Sequence, residues 1–225
     1  MLIFGGTGSA GRAVLQECLA SSAVGEVRAI TRRPLGQVHE KLSTVLHTDY
    51  TNYAAASGAF DGIDACFYCL GKSVSQVEDE AAYRRLTYDF AVAAAAALRE
   101  RSPEAVFHFV SGSGAALDSR FMWARVKAET ERHLLAASAL TLCWRPAAID
   151  GMPSASEPWL NRIVRPLYGL LEPFRGWYVS GSDLGLAMLQ ASVEGMHGRI
   201  IENPEIRNLA DRARALKQLD AIRRQ

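Results

Sequence analysis

Leu2-Ile-Phe-Gly-Gly-Thr-Gly-Ser-Ala-Gly-Arg12 is the stretch that decides the fold. Three apolar residues run into glycines at 5, 6, 8 and 11, and an amphipathic run follows at once. A buried strand, a tight turn and a helix start in that order open a dinucleotide-binding βαβ unit. Gly5 and Gly6 permit the reversal, Gly8 admits backbone N–H groups to a pyrophosphate, and Gly11 lets the helix pack on the strand. The start of a helix also offers unpaired N–H groups and a partial positive charge. Thr7, Ser9 and Ala10 therefore join Gly5, Gly8 and Gly11 as expected cofactor contacts.

Outward from the turn, strands and helices alternate. A helix is expected from Ala10 to Ser21, with Val14, Leu15, Cys18 and Leu19 as its apolar stripe. Strands are expected at Val27 to Thr31, Ser43 to His47, Ala65 to Gly71, Ala105 to Val110 and Leu140 to Trp144. Helices are expected at Glu78 to Arg101 and Phe121 to Ser138. This rhythm implies a parallel sheet with right-handed crossovers. After Gly151 it changes. Pro153, Ser154, Ser156 and Pro158 suggest a loop, and Trp159 to Leu171 a helix interrupted by Pro166. A further helix is expected to start at Ser182-Asp183, a strand at Arg199 to Glu202, and a last helix at Asn203-Pro204-Glu205.

The expected fold is therefore α/β: a Rossmann-type, doubly wound, mostly parallel seven-stranded sheet with a small C-terminal lobe. Residues 1–225 form a single domain, with a dinucleotide-binding core at 1–150. The remainder, 151–225, supplies a substrate-side lobe over the cleft and a C-terminal helix.

The chain's 225 residues are 49% hydrophobic and 22% charged, enough for a full core. A net charge of +1 gives no field that would recruit nucleic acid or an anionic membrane. No apolar run reaches the length of a membrane span, and no signal peptide precedes the first strand. That strand already contains Met1, so a few further leading residues are expected. The four cysteines fit a reducing compartment, and a cytoplasmic location is expected. Cys66 and Cys69 stand at an odd spacing in a strand, which sends their side chains to opposite faces. The five histidines show no metal-ligand spacing, so no metal is expected.

Where NAD-preferring units carry an acidic residue at the end of the second strand, this chain has Arg32-Arg33. Two guanidinium groups suit a 2′-phosphate, so NADP is expected in preference to NAD. Solvated loop charge is the plainer reading of the same pair. Asp49 follows the third strand, where it either meets the adenine or simply forms a turn.

These segments, with Arg145-Pro146 and Glu202-Asn-Pro-Glu-Ile-Arg-Asn-Leu209, resemble an atypical member of the short-chain dehydrogenase/reductase superfamily, in its extended branch. The chain is most similar to the Tat-interacting oxidoreductase-like proteins. The resemblance implies cofactor contacts at Leu70, Gly71 and Pro146. It also implies a serine after the fifth strand and a Tyr-x-x-x-Lys on the next helix, where tyrosine exchanges a proton while hydride moves. Ser111 (or Ser113) matches the serine and Lys127 the lysine, as ligand of the nicotinamide ribose. Trp123 stands where the tyrosine belongs.

An indole N–H donates hydrogen bonds but is no acid at neutral pH. Ketone reduction makes a basic alkoxide that needs a donor, whereas a quinone or flavin makes a delocalised anion that water protonates. Trp123 therefore argues for a small conjugated acceptor. The alternatives are a catalytically silent dinucleotide sensor with a protein partner and, more weakly, a sugar-nucleotide epimerase. Tyr88, Tyr83 and Tyr178 are the phenols that could replace the missing acid, Tyr88 foremost. Trp159, Phe174 and Trp177 are expected either on the substrate side or in the lobe's own core.

Overall fold

β1 (Leu2–Phe4), the glycine turn and α1 (Ser9–Ala20) open the fold in a computed structural model that describes residues 1–150 and 176–223. β2 (Val27–Thr31), β3 (Leu42–Leu46) and β4 (Ala65–Tyr68) follow, with a 3₁₀ segment at Ala54–Phe60. The Glu78 to Arg101 helix is divided in three: α2 (Glu80–Arg84), a π-helical turn (Arg85–Asp89) and α3 (Phe90–Arg101). A π turn adds one residue to the hydrogen-bonded ring and rotates the next helical segment, a change that an alanine-rich pattern does not announce. β5 (Val106–Val110), α4 (Met122–Ala137) and β6 (Thr141–Arg145) complete the first part.

β7 (Ala148–Asp150) and β8 (Tyr178–Ser180) pair in parallel as a separate ribbon. Three residues are too few to show alternation, and neither strand was expected. α5 (Gly181–Val193) is capped by Ser180, whose hydroxyl accepts the Asp183 N–H at 3.0 Å, two residues ahead of the expected cap. β9 (Arg199–Glu202) and α6 (Asn203–Arg223) end the described chain. The loop of Pro153 to Pro158, the Trp159 to Leu171 helix and Phe174 lie outside the described residues.

The main sheet has seven strands, ordered β3-β2-β1-β4-β5-β6-β9, and every pairing in it is parallel. Winding reverses between β1 and β4, where Phe4 stands between Ile30 and Tyr68. A crevice opens at the carboxyl ends of the strands at such a switch point. Ile3, Phe67, Leu142 and Trp144 face α1, α5 and α6; Leu2, Phe4, Tyr68, Phe107 and Phe109 face the side of α3 and α4. Cys66 falls in the second layer while Cys69 packs against the first, as their odd spacing requires. All four cysteines are free thiols.

α5 crosses α1 closely because Gly185 has no side chain. A Cβ there would stand 3.0 Å from the Ala13 carbonyl oxygen. β9 extends the sheet beside β6, so the described C-terminal residues are built into its layers. His108 is fully buried in β5 and takes the Trp144 indole N–H at 3.2 Å; its other nitrogen meets the Ser192 hydroxyl. Burial pushes this imidazole down to about 3, so it is neutral. Among the described residues, no helix is long and apolar enough to cross a membrane.

Candidate functional site

The turn after β1 is wound as tightly as its glycines allow. Gly5 has φ 76°, and a Cβ on it would lie 2.6 Å from the Cys69 carbonyl oxygen. A Cβ on Gly11 would run into the carbonyl of Gly5, so this residue lets α1 begin against the strand. The Gly8 N–H donates to the Gly5 carbonyl at 2.9 Å, and the Arg12 N–H returns to Gly8 at 2.9 Å. Gly8 occupies the N-cap without a side-chain cap, leaving Thr7 exposed at the turn and Ser9 and Ala10 in the first helical turn. Beyond β4, the Cys69 N–H binds the Phe4 carbonyl at 3.2 Å. Leu70 is partly buried there, and nothing lies within 4 Å of a Cβ position on Gly71.

Arg32 and Arg33 leave β2 exposed to solvent, their turn tied by the Thr31 hydroxyl donating to the Arg33 carbonyl. Asp49 uses Oδ1 locally, accepting the Thr51 hydroxyl at 2.6 Å and the Thr51 N–H at 3.0 Å. Those bonds, then the nearby charges of His47 and Arg85, hold its carboxyl below the usual range. Arg85 is a neighbour the sequence did not reveal, carried here by the π turn with its Cζ 5.8 Å from the Phe90 ring centroid. Phe90 in turn packs on Tyr50 at 5.6 Å.

The loop after β5 gathers the remaining residues. The Ser111 N–H donates to the Trp144 carbonyl at 2.7 Å and the Ser113 N–H to the Pro146 carbonyl at 2.9 Å. Pro146 is buried, and the Ser113 side chain faces solvent. The Ser111 hydroxyl is 3% exposed and has no hydrogen-bond partner among the described residues. Lys127 Nζ donates to the Ser111 carbonyl and lies 3.2 Å from where a Cβ on Gly112 would be. Burial pushes this ammonium down to about 8, against the pull of Glu131. Trp123, one helical turn earlier, lays the edge of its six-membered ring over the same loop. Its Cζ3 and Cη2 are 3.9 Å and 3.7 Å from the Cβ positions of Gly112 and Gly114. Ser111, Trp123, Lys127 and Pro146 therefore meet.

None of the three alternative phenols takes the place of the missing tyrosine. The Tyr88 hydroxyl bonds to His133 Nδ1 at 2.9 Å, and His133 lies about 15 Å along α4 from Trp123. Tyr83 is buried and bonded to Thr87. Tyr178 is buried in the β7–β8 ribbon, while Trp177 beside it is 73% exposed. The sequence also did not reveal a line of charge behind Lys127. Glu131, Arg145 and Glu202 form it, at separations of 14 and 57 residues.

A family model described as NAD(P)H-binding matches residues 5–142. Protein FMP52 of Eremothecium gossypii is 25% identical over 217 residues, covering 92% of this chain and 96% of the relative. HTATIP2 of Rattus norvegicus is 28% identical over 168 residues, covering 72% and 68%. Among solved structures, the Bordetella bronchiseptica enzyme WbmF in complex with NAD⁺ has a TM-score of 0.69. It is 13% identical, with 95% of this chain and 77% of that one covered. The cytoplasmic expectation is corrected here, because FMP52 and its Emericella nidulans counterpart are mitochondrial proteins. Free, buried thiols need only a reducing environment and do not tell one such compartment from another.

Proposed function

The chain belongs to the NAD(P)H-binding family as an atypical short-chain dehydrogenase/reductase of the Tat-interacting protein-like subgroup, and we propose that it is an NADPH-dependent reductase of a small conjugated acceptor. A nicotinamide dinucleotide is the cofactor of this family, and the residues present fit one. Gly8 leaves an uncapped helix start, with only the Gly5 carbonyl oxygen, at 3.4 Å, near its Cβ position. At the other end, Ser111 offers a buried hydroxyl with no partner among the described residues.

One observation carries the reading: Trp123 and Lys127 share the loop of Ser111, and Tyr83, Tyr88 and Tyr178 are all engaged elsewhere among the described residues. The bound dinucleotide supplies hydride. The first turn of α1 would hold its pyrophosphate, Arg32 and Arg33 a 2′-phosphate, and Lys127 the nicotinamide ribose. Ser111 would donate its hydroxyl proton in a hydrogen bond to the acceptor's oxygen. Trp123 can orient a planar acceptor by its ring face or its N–H, but it transfers no proton. Acceptors whose reduced anion is delocalised are therefore favoured over isolated ketones.

The same tryptophan supports the second reading, a dinucleotide sensor that catalyses nothing. NADPH oxidation against parallel panels of quinones, flavins and simple carbonyls separates the two. Turnover confined to quinones or flavins is expected. Tight NADPH binding with no turnover on any panel would favour the sensor, and brisk ketone reduction would overturn both.

A further inference from the structure

Glu131 stands one turn beyond Lys127 on α4, with its side chain only 2% exposed. Its carboxylate takes both arms of Arg145, Nε to Oε1 at 3.0 Å and Nη2 to Oε2 at 2.6 Å. The third nitrogen of that fork, Nη1, reaches Glu202 at 2.9 Å. Asn203, the next residue, accepts the Ala147 N–H at 2.8 Å and donates to the Tyr178 carbonyl at 3.0 Å. The end of β6, the β7–β8 ribbon and the β9–α6 junction are thus bound into one knot behind Lys127.

Burying a carboxylate is costly unless charge and hydrogen bonds compensate it. Arg145 alone would neutralise Glu131, but this guanidinium is divided between two carboxylates. Each oxygen of Glu131 also keeps lone-pair capacity beyond the one Arg145 N–H it accepts. Charge alternates along the line: Lys127, Glu131, Arg145, Glu202.

We propose that Glu131, clamped by Arg145 and Glu202, is the positioning residue that holds the Lys127 ammonium at its station beside Ser111. The assignment rests on Lys127 as the ribose ligand. Among the described residues, the ionisable groups on the side of Lys127 are Glu131, then Arg145 and the Cys143 thiol beside them. Glu80, Arg84 and Tyr88 engage Arg125, Glu129 and His133, which a rotation of 100° per residue places on the opposite side of the helix.

The test uses the cofactor-free full chain carrying [ε-¹³C]lysine. Only Lys41, Lys72, Lys127 and Lys217 contribute signals, and Lys127→Arg identifies the relevant one. Lys127 should titrate near pH 8 in the parent. In Glu131→Gln its midpoint should fall by about 1 unit or more, the usual effect of losing an opposite charge nearby. Loss of a merely structural salt bridge would lower the melting temperature and leave this midpoint in place. An unchanged midpoint in the folded variant overturns the proposal.

If Glu131→Gln fails to fold, Glu131→Asp withdraws the carboxylate by one methylene and should shift the midpoint in the same direction by less. A parent-like midpoint there is equally fatal. Calorimetry with NADPH keeps the two readings apart. A lowered midpoint with unchanged NADPH affinity at pH 8 supports the positioning role of Glu131 and removes Lys127 from the ribose. An affinity that falls at pH 8 and recovers at pH 6 supports both.

Discussion

Alanine at Gly8 and at Gly11 should separate phosphate binding from folding. At Gly11 a Cβ would meet only backbone of the turn, including the Gly5 carbonyl carbon at 2.6 Å and the Gly6 nitrogen at 3.1 Å. Those atoms cannot yield without opening the junction of β1 and α1. Overpacking a fixed site costs about 1–3 kcal/mol, and the upper end applies where no flexible side chain can move. For a chain of this length each kcal/mol lowers the melting temperature by about 2–4 °C, so Gly11→Ala should lose roughly 6–12 °C. Gly8 is different: φ −81° and ψ 170° suit any residue. The poorer N-cap costs about 1 kcal/mol. The stiffer unfolded chain returns about 0.4–1 kcal/mol. Gly8→Ala should therefore melt within about 2 °C of the parent. Its methyl group, however, would stand where the proposed site has the pyrophosphate approach. Calorimetry should show NADPH affinity reduced at least about tenfold, or 1.4 kcal/mol. A folded Gly8→Ala protein that binds like the parent would refute this placement of the phosphates.

Replacing Arg32 and Arg33 together by alanine should weaken NADPH binding and leave NADH nearly unaffected; equal affinities of the unmodified protein for the two cofactors would reject the 2′-phosphate role. Lys127 titrates near 8 instead of its ordinary 10.5 because burial disfavours its charge, whereas ribose hydroxyl oxygens accepting hydrogen bonds from the ammonium would favour the charged form. NADPH binding should therefore take up a proton above pH 8, measured by calorimetry in buffers of different ionisation enthalpy, and weaken as pH rises further. In the cofactor-free protein the same depressed value should make Lys127 favour folding as pH climbs from 8 to 10.5, since the unfolded chain then holds more protons; chemical denaturation across that range checks the sign. Trp123→Tyr restores a phenol beside Lys127 and should raise carbonyl reduction by up to about 10²-fold, the lower end of general acid catalysis. Ketone turnover that is already brisk in the parent and persists in Trp123→Phe would place the proton source elsewhere.

The parts of the fold legible in the sequence are those fixed by short-range pattern. β2 and β9 lie where apolar runs bounded by turn residues placed them, and the glycine turn has its close approaches because its spacing is itself the geometry. In the sequence only the family resemblance pairs Ser111 with Lys127, and Lys127 Nζ does donate to the Ser111 carbonyl. What remained hidden depends on distance or on small insertions. The π turn that carries Arg85 toward Asp49 differs from an α-helix by one residue. The β7–β8 ribbon joins segments too short to show a period. Glu131, Arg145 and Glu202 are ordinary charged residues until the sheet brings them together.

Charge on the two sides of α4 bears directly on what Trp123 means. On the outer side, Glu80 holds Arg125, Arg84 holds Glu129 and Tyr88 holds His133, each pair separated by 45 residues. Such partly exposed contacts are individually weak, about 0–1 kcal/mol each, but three in register fix the rotation and height of a helix. On the inner side Glu131 is held by Arg145 and Lys127 by the Ser111 carbonyl. A helix pinned on both sides cannot turn to present another residue at the place of Trp123. Gly112 and Gly114 leave room for the indole, so the ring is accommodated where a phenol would otherwise stand. On the proposed reading, the change at this position removes a proton donor and leaves the frame for a dinucleotide in place. On that reading Trp123 offers an isolated ketone no phenolic proton, and an acceptor whose reduced anion is delocalised needs none.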